Sequence, residues 1–171
     1  MPGGPSHLIR RFFEVASARP LSRDERAAVG SWLTPALSDL FFSQQPADQR
    51  HGYRAGASVA AAGYRAPDVV AAALLHDVGK RHAGFGALGR SVASVMILLS
   101  LPLSERMLTY RDHGIVAARE LGRAGAPPLV VDFALHHHGR RPETIAEDVW
   151  DVLAAADEPA KPRVRSQRPI P

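Results

Sequence analysis

The sequence predicts an all-α fold, a single bundle of helices. Apolar residues recur at helical spacing along the chain; Val29, Trp32 and Leu33, for example, follow a capping-box sequence at residues 22–25. No segment shows the apolar–polar alternation of a convincing strand. The length of 171 residues suits one domain with one hydrophobic core, and no repeat or linker divides it.

Residues 8–45 are expected to form an N-terminal helical extension. Leu8, Phe12 and Val15 fall on one face of a first helix. Ser22, with Glu25 three residues later, opens a second helix. We expect this extension to pack on the rest of the bundle, so that residues 1–158 form one domain.

Residues 46–158 carry the signals of the helical core. Most of the predicted helix starts share a proline in the first turn or a serine or threonine cap. These starts are Pro46 (for a helix to about Gly63), Pro67 (for a helix that delivers His76 and stops at Gly79), Ser104, Pro127 and Thr144 (a second capping box, for a helix to Asp157). Residues 115–121 continue the helical pattern, and residues 92–99 predict a helix buried on most sides.

The last thirteen residues differ in composition from the rest of the chain. Residues 159–171 contain four prolines and four basic residues, Lys161, Arg163, Arg165 and Arg168, without an acid. Such a composition predicts a disordered tail, either solvated or in weak contact with an anionic partner. The tail holds the whole net charge of +4, since the remaining 17 basic residues balance 17 acidic ones. Nucleic acid is therefore not an expected partner.

Composition also limits where the protein acts and what can hold a metal. Cysteine is absent, so that any metal ligands must be histidines and carboxylates. The N-terminus has no signal-peptide pattern, and the longest apolar stretch, residues 92–103, is too short to span a bilayer. We expect a cytoplasmic protein with no membrane contact.

Possible metal ligands begin with the adjacent residues His76 and Asp77. They lie in the apolar sequence of residues 71–80, where we expect two polar groups to have a role other than contact with solvent. Further donors are spread along the chain: His51, His113, the triplet His136, His137 and His138, and Asp157. Nitrogen and oxygen donors of these kinds suit a divalent transition metal.

His51 and Lys80 each allow two interpretations. On its helix, His51 shares a face with the small residues Ala55 and Ser58, which would let other helices approach closely. It is either a metal ligand or an ordinary core histidine. Lys80 lies one turn after His76, where its charge suits a phosphate oxygen or the C-terminus of the helix.

Helical spacing divides the histidine triplet. His137 and His138 lie on or beside the apolar stripe that includes Ala134. His136 falls four residues after Asp132 on the polar side, where the two would form a surface pair. The pattern favours His137 and His138 over His136 as donors, and which two of the three face the site stays open.

In combination, these residues resemble the HD superfamily of metal-dependent phosphohydrolases over roughly residues 46–158. The resemblance rests on a histidine, an adjacent His-Asp pair followed by Val-Gly-Lys, a middle histidine, a histidine pair and a distant aspartate. It implies a first ion held by His51, His76, Asp77 and Asp157. A second ion would be held by His113 and by His137 or His138, with Asp77 shared.

The resemblance implies a hydrolase of small phosphoesters, such as a nucleotide or a related phosphorylated metabolite. Its cofactors would be one or two divalent ions (Mn, Fe, Mg, Zn or similar), and Asp77 and Lys80 would act in catalysis. The residues after the histidine pair lack the Gly-Tyr-Pro signature of the branch that cleaves cyclic dinucleotides. The alternative is a non-catalytic signalling module with the same fold. The oligomeric state, and whether the substrate is a monoester or a diester, stay open.

Overall fold

The computed structural model describes residues 19–158, and the chain is all-helical there, with no strand, as predicted. The predicted helix around Leu8, Phe12 and Val15 and the predicted tail at 159–171 lie outside the described residues. The α-helices are α1 (Arg23–Trp32), α2 (Pro35–Phe42), α3 (Pro46–Ala61), α4 (Pro67–Leu75), α5 (Ala87–Leu98), α6 (Glu105–Arg111), α7 (His113–Arg123), α8 (Pro128–His136) and α9 (Glu147–Asp157). A 3-10 helix, Val78–Ala83, follows α4.

Most helix starts were predicted correctly because their signals are local. The Ser22 hydroxyl accepts a hydrogen bond from the Glu25 amide, and the Glu25 carboxylate accepts one from the Ser22 amide. Pro46, Pro67 and Pro128 occupy the first turns of α3, α4 and α8. Proline fits there because its missing N–H would have no partner within the helix.

The predicted capping box at Thr144 is wrong. Helix α9 begins only at Glu147, and its N-cap is Ala146. The Thr144 hydroxyl instead donates a hydrogen bond to the Asp132 carboxylate on α8, at 2.7 Å. Ile145 is completely buried in the core. Its burial and the Thr144 hydrogen bond hold residues 144–145 in the turn that precedes the helix.

Helix α4 lies at the centre of the bundle. All of its residues from 69 to 75 are buried, and it packs against α3, α8 and α9. Helices α1 and α2 contribute Val29, Leu37 and Phe41 to the same core. The C-terminal end of α4, where His76 and Asp77 follow, is therefore surrounded by other helices.

The prediction of a helix buried on most sides at residues 92–99 is wrong in its burial. Helix α5 spans this region, but only Arg90 and Ala93 on it are buried. Its leucines and valines at positions 88, 92, 95 and 98 are exposed. An apolar sequence alone cannot distinguish a helix inside a core from one that lies on it with a single face. No helix among residues 19–158 is long and apolar enough to cross a membrane.

A buried ion pair attaches α5 to the first turn of α3. The Arg90 guanidinium donates two hydrogen bonds to the Asp48 carboxylate, and its Nε donates to the Phe85 carbonyl. Both members of the pair are almost inaccessible to solvent. Asp48 lies one turn before His51, so this contact also holds the start of the helix that carries a candidate ligand.

Arg90→Ala is expected to destabilise the protein strongly, because the Asp48 carboxylate would stay buried without its partner. The expected loss in the free energy of unfolding is about 3–5 kcal/mol. Urea denaturation followed by circular dichroism measures it. Arg111→Ala is the matched control, since Arg111 forms a similar two-bond pair with Asp112 at an exposed position. Equal losses in the two variants would contradict a stabilising role for the buried pair.

Candidate metal centre

Asp77 lies between two sets of donor atoms. It follows His76, the C-cap of α4, and precedes the 3-10 helix. Its Oδ2 atom faces His51 and His76, with distances of 3.7 and 3.5 Å to their Nε2 atoms. Its Oδ1 atom faces His113 and His137, at 3.1 and 3.5 Å. Each carboxylate oxygen therefore has its own group of imidazoles.

The first set consists of His51, His76, Asp77 and Asp157. The Nε2 atoms of His51 and His76 are 3.3 Å apart, and Asp157 Oδ1 lies 3.0 and 3.1 Å from them. Asp157 is the last residue of α9. A carboxylate at that helix end opposes the helix dipole, and the neighbouring imidazoles offset this cost.

The second set consists of Asp77, His113, His137 and His138. His113 begins α7, and His137 is the C-cap of α8; their Nε2 atoms are 3.4 Å apart. The His138 ring packs on the His137 ring, with centroids 3.9 Å apart, and is the most exposed member of the set. His136 belongs to neither set. The structure thus brings together all seven donors predicted from the sequence.

Three of the imidazoles are fixed by backbone carbonyls at helix ends. His76 Nδ1 lies 2.9 Å from the Ala73 carbonyl, His113 Nδ1 2.7 Å from that of Tyr110, and His137 Nδ1 2.9 Å from that of Ala134. These carbonyls belong to last turns, where helices leave acceptors unsatisfied. A carbonyl only accepts, so each Nδ1 carries a proton and donates it. In the neutral ring, Nε2 then presents its lone pair to the centre.

The spacing of the donors fits divalent ions. Ligand atoms about 2.1 Å from one ion lie about 3.0 Å apart at right angles and about 3.4 Å apart at the tetrahedral angle. The separations in the structure, 3.0–3.7 Å in the first set and 3.1–3.5 Å among Asp77, His113 and His137 of the second, span these values. Two carboxylates and the lone pairs of neutral imidazoles that converge in this way are donors suited to a divalent cation. Both sets could therefore hold a metal ion.

Lys80 lies inside the centre. It is buried, and its Nζ donates a hydrogen bond to Asp77 Oδ2 at 2.5 Å, one turn along the 3-10 helix. The sequence predicted that this cation would face a phosphate or a helix end, and the structure adds its contact with the central carboxylate. Burial opposes ionisation of Asp77, but Lys80 and His76 outweigh it and hold the pKa of Asp77 well below its usual range.

The other ionisation states also suit cation binding. Burial would raise the pKa of Asp157, but His76 and His51 lower it far more, so that this carboxylate stays ionised. Burial lowers the pKa values of His51 and His113, and desolvation followed by the neighbouring His137 lowers that of His138 to about 3. At His76, burial is outweighed by the two carboxylates, which raise its pKa to about 9. An ion bound there displaces one proton.

Glycines let the donor-bearing segments approach one another closely. A Cβ atom on Gly79 would lie 2.1 Å from the His113 carbonyl oxygen, and one on Gly114 would lie 2.7 Å from that of Ala134. Gly52 packs in the same way on the Leu74 carbonyl, at 2.5 Å. The sequence analysis did not predict these close approaches, although the repeated His-Gly pairs at 51–52 and 113–114 were a visible signal for two of them.

The sequence also predicted a helix that stops at Gly79 and a surface pair of His136 with Asp132. Helix α4 ends earlier, at Leu75, and the chain tightens into the 3-10 helix that contains Gly79. This tightening allows the contact between Lys80 and Asp77. Asp132 accepts its hydrogen bond from Thr144, as described above, so the predicted pair with His136 is replaced by that contact.

Known proteins add no assignment to this centre. No family model, no curated protein and no solved structure matches the chain. Its function is therefore inferred from the geometry of its donors.

Proposed function

We propose that this protein is a metal-dependent phosphohydrolase that acts on a small phosphoester. The observation that supports the proposal is the Asp77 carboxylate, whose two oxygens face two different groups of imidazoles. One carboxylate shared between two neighbouring ions is a recurring feature of hydrolytic centres. His51, His76 and Asp157 would complete the first ion site, and His113, His137 and His138 the second.

When bound, divalent ions supply Lewis acidity, which makes water a stronger acid and polarises a phosphoryl oxygen. The residues of the chain supply the rest. His76, His113 and His137 are held in one tautomer by their carbonyl contacts, so their orientation costs little on binding. Lys80 keeps Asp77 ionised and adds a positive charge where negative charge develops on the phosphoryl group.

The exposed edge of the centre would receive the substrate. His51 and Asp157 are about one-fifth exposed on the first site, and His138 is exposed on the second. His138 also lacks a contact of Nδ1 with a carbonyl among residues 19–158, unlike the three anchored imidazoles. This freedom suits a neutral imidazole that donates its N–H to a phosphate oxygen. The substrate at this edge would be a small ester such as a nucleotide.

Metal content and hydrolysis together test the proposal. We expect one or two ions per chain by elemental analysis of gently purified protein. The Mn-loaded protein should hydrolyse p-nitrophenyl phosphate or bis(p-nitrophenyl) phosphate, and the chelator-treated protein should not. The choice between the two probes separates a monoesterase from a diesterase. Bound metal without hydrolysis of either probe or of a nucleotide panel would favour the non-catalytic signalling module and contradict the proposal.

The histidine triplet offers a test within one segment. His137→Ala and His138→Ala are each expected to lower kcat/KM more than tenfold, which corresponds to about 1.4 kcal/mol or more in the barrier. His136→Ala is the matched control and should change it less than twofold, because His136 belongs to neither donor set. Excess Mn should partly restore the first two variants, since a lost ligand weakens affinity. A His136→Ala variant with strongly reduced activity would instead indicate that the ligand pair is His136 and His137.

A further inference from the structure

Helix α5 presents an apolar stripe to solvent. Leu88, Val92, Val95 and Leu99 follow one another at spacings of four, three and four residues, which places them on one side of the helix. The buried residues Arg90 and Ala93 occupy the opposite side. Together with Leu98, and with Leu101 just after the end of the helix, six leucines and valines are 39–71% exposed. We refer to these six residues as the α5 patch.

We propose that the α5 patch is the contact surface between two copies of this chain. The 4-3-4 spacing is that of the seam along which one helix packs against another. A two-fold axis through the middle of the stripe, between Val92 and Val95, would lay the two α5 helices side by side. The proposal concerns association and is independent of the chemistry proposed for the metal centre.

The lack of exposed charge on α5 favours a second copy of the chain, rather than a lipid surface, as the partner of the α5 patch. Arg90 is the one charged residue between positions 87 and 104, and it is buried against Asp48. Two copies of this surface would therefore meet without repulsion between like charges. Helices that lie in a membrane interface carry lysines and arginines on their polar face, and α5 has no exposed cation of that kind.

The area of the patch sets the expected strength of the contact. Six side chains exposed to this degree present about 500 Å² per protomer, in the upper part of the range for the largest apolar patch on a monomer, which is often functional. A symmetric pair would cover about 1,000 Å² in total, the lower limit for a specific association. We therefore expect a dimer that forms at micromolar concentrations and dissociates on dilution.

Sedimentation velocity of the full chain between about 1 and 200 µM tests the proposal. The expected result is a concentration-dependent shift towards twice the monomer mass of 18.4 kDa. Val95→Glu should stay monomeric over the whole range. Ile115→Glu is the matched control, because Ile115 is a similarly exposed apolar residue on α7, and it should associate like the unmodified chain. Circular dichroism of each variant checks that the fold is retained.

A cross-linking experiment covers the case in which Val95→Glu does not fold. The chain has no cysteine, so Val95→Cys introduces a single thiol. A short bismaleimide should join two Val95→Cys chains and leave Ile115→Cys chains single. A chain that is monomeric at 200 µM, or a dimer unaffected by Val95→Glu, would overturn the proposal. Binding of the monomer to phosphatidylcholine–phosphatidylserine vesicles would also overturn it, in favour of a lipid surface as the partner of the patch. Dimerisation only after removal of residues 1–18 would overturn it in favour of that N-terminal segment as the partner.

Discussion

Asp77→Asn is expected to abolish hydrolysis and remove most of the bound metal. Asparagine keeps the size of the side chain. It replaces the charged carboxylate, whose two oxygens face both sets of imidazoles, with a neutral amide. The buried Lys80 would also lose its counter-charge. We expect kcat/KM to fall at least a thousandfold, about 4 kcal/mol in the barrier, and the metal content to fall below half an ion per chain. Elemental analysis and kinetics with the better p-nitrophenyl probe measure the two effects.

Asp132→Asn is the matched control for Asp77→Asn. Asp132 lies on α8, which ends at the site, but it accepts a hydrogen bond from Thr144 on the outside of the bundle. Its replacement should leave metal content and rate unchanged. Full occupancy and full activity in Asp77→Asn would show that the central carboxylate holds no ion.

Gly79→Ala is expected to cause the largest loss of stability of any single methyl addition described here. The new Cβ would lie 2.1 Å from the His113 carbonyl oxygen and 2.9 Å from the Ala117 amide nitrogen. Both are backbone atoms, so the 3-10 helix and α7 would have to move apart. We expect a loss of at least about 3 kcal/mol in the free energy of unfolding. We also expect weaker metal binding, because the movement separates Asp77 from His113.

Gly30→Ala provides the comparison for Gly79→Ala. Gly30 lies inside α1, and a Cβ there would meet no atom within 4 Å. Alanine is the better helix former, so this variant should gain about 0.5–1 kcal/mol. Chemical denaturation of both variants, with and without Mn, measures the contrast. A Gly79→Ala protein as stable as the unmodified chain would show that the two segments are not in close contact.

Local signals explain why much of the fold could be predicted. A proline in a first turn or a serine cap acts within four residues, so the starts of α1, α3, α4, α6 and α8 could be read from the sequence. The prediction at Thr144 was wrong because its hydroxyl donates a hydrogen bond to Asp132 on α8, twelve residues earlier in the chain. The predicted burial of α5 was wrong for a similar reason, because the face that a helix packs against the core depends on contacts distant in sequence.

The donors of the site were predictable, but their orientation was not. Histidines and aspartates are scarce in apolar stretches, and this made His76, Asp77 and His137 conspicuous. The contacts of Nδ1 with carbonyls depend on where a helix ends, and sequence-based boundaries are uncertain by several residues. Likewise, the contact of Lys80 with Asp77 requires the 3-10 turn after α4, whereas the sequence predicted an α-helix that extends to Gly79.

The hydrogen bond between an imidazole Nδ1 and a carbonyl at a helix end has two effects. The proton on Nδ1 of His76 satisfies the Ala73 carbonyl and, by its position, directs the opposite lone pair inwards. A substitution at His76 is therefore expected to weaken both the packing of this helix end and any metal binding, and the first effect should persist in chelator. A replacement at this position has to meet both requirements: a donor for the carbonyl and a lone pair that faces the centre. A redesign that replaces His76 must supply another hydrogen-bond donor for the Ala73 carbonyl.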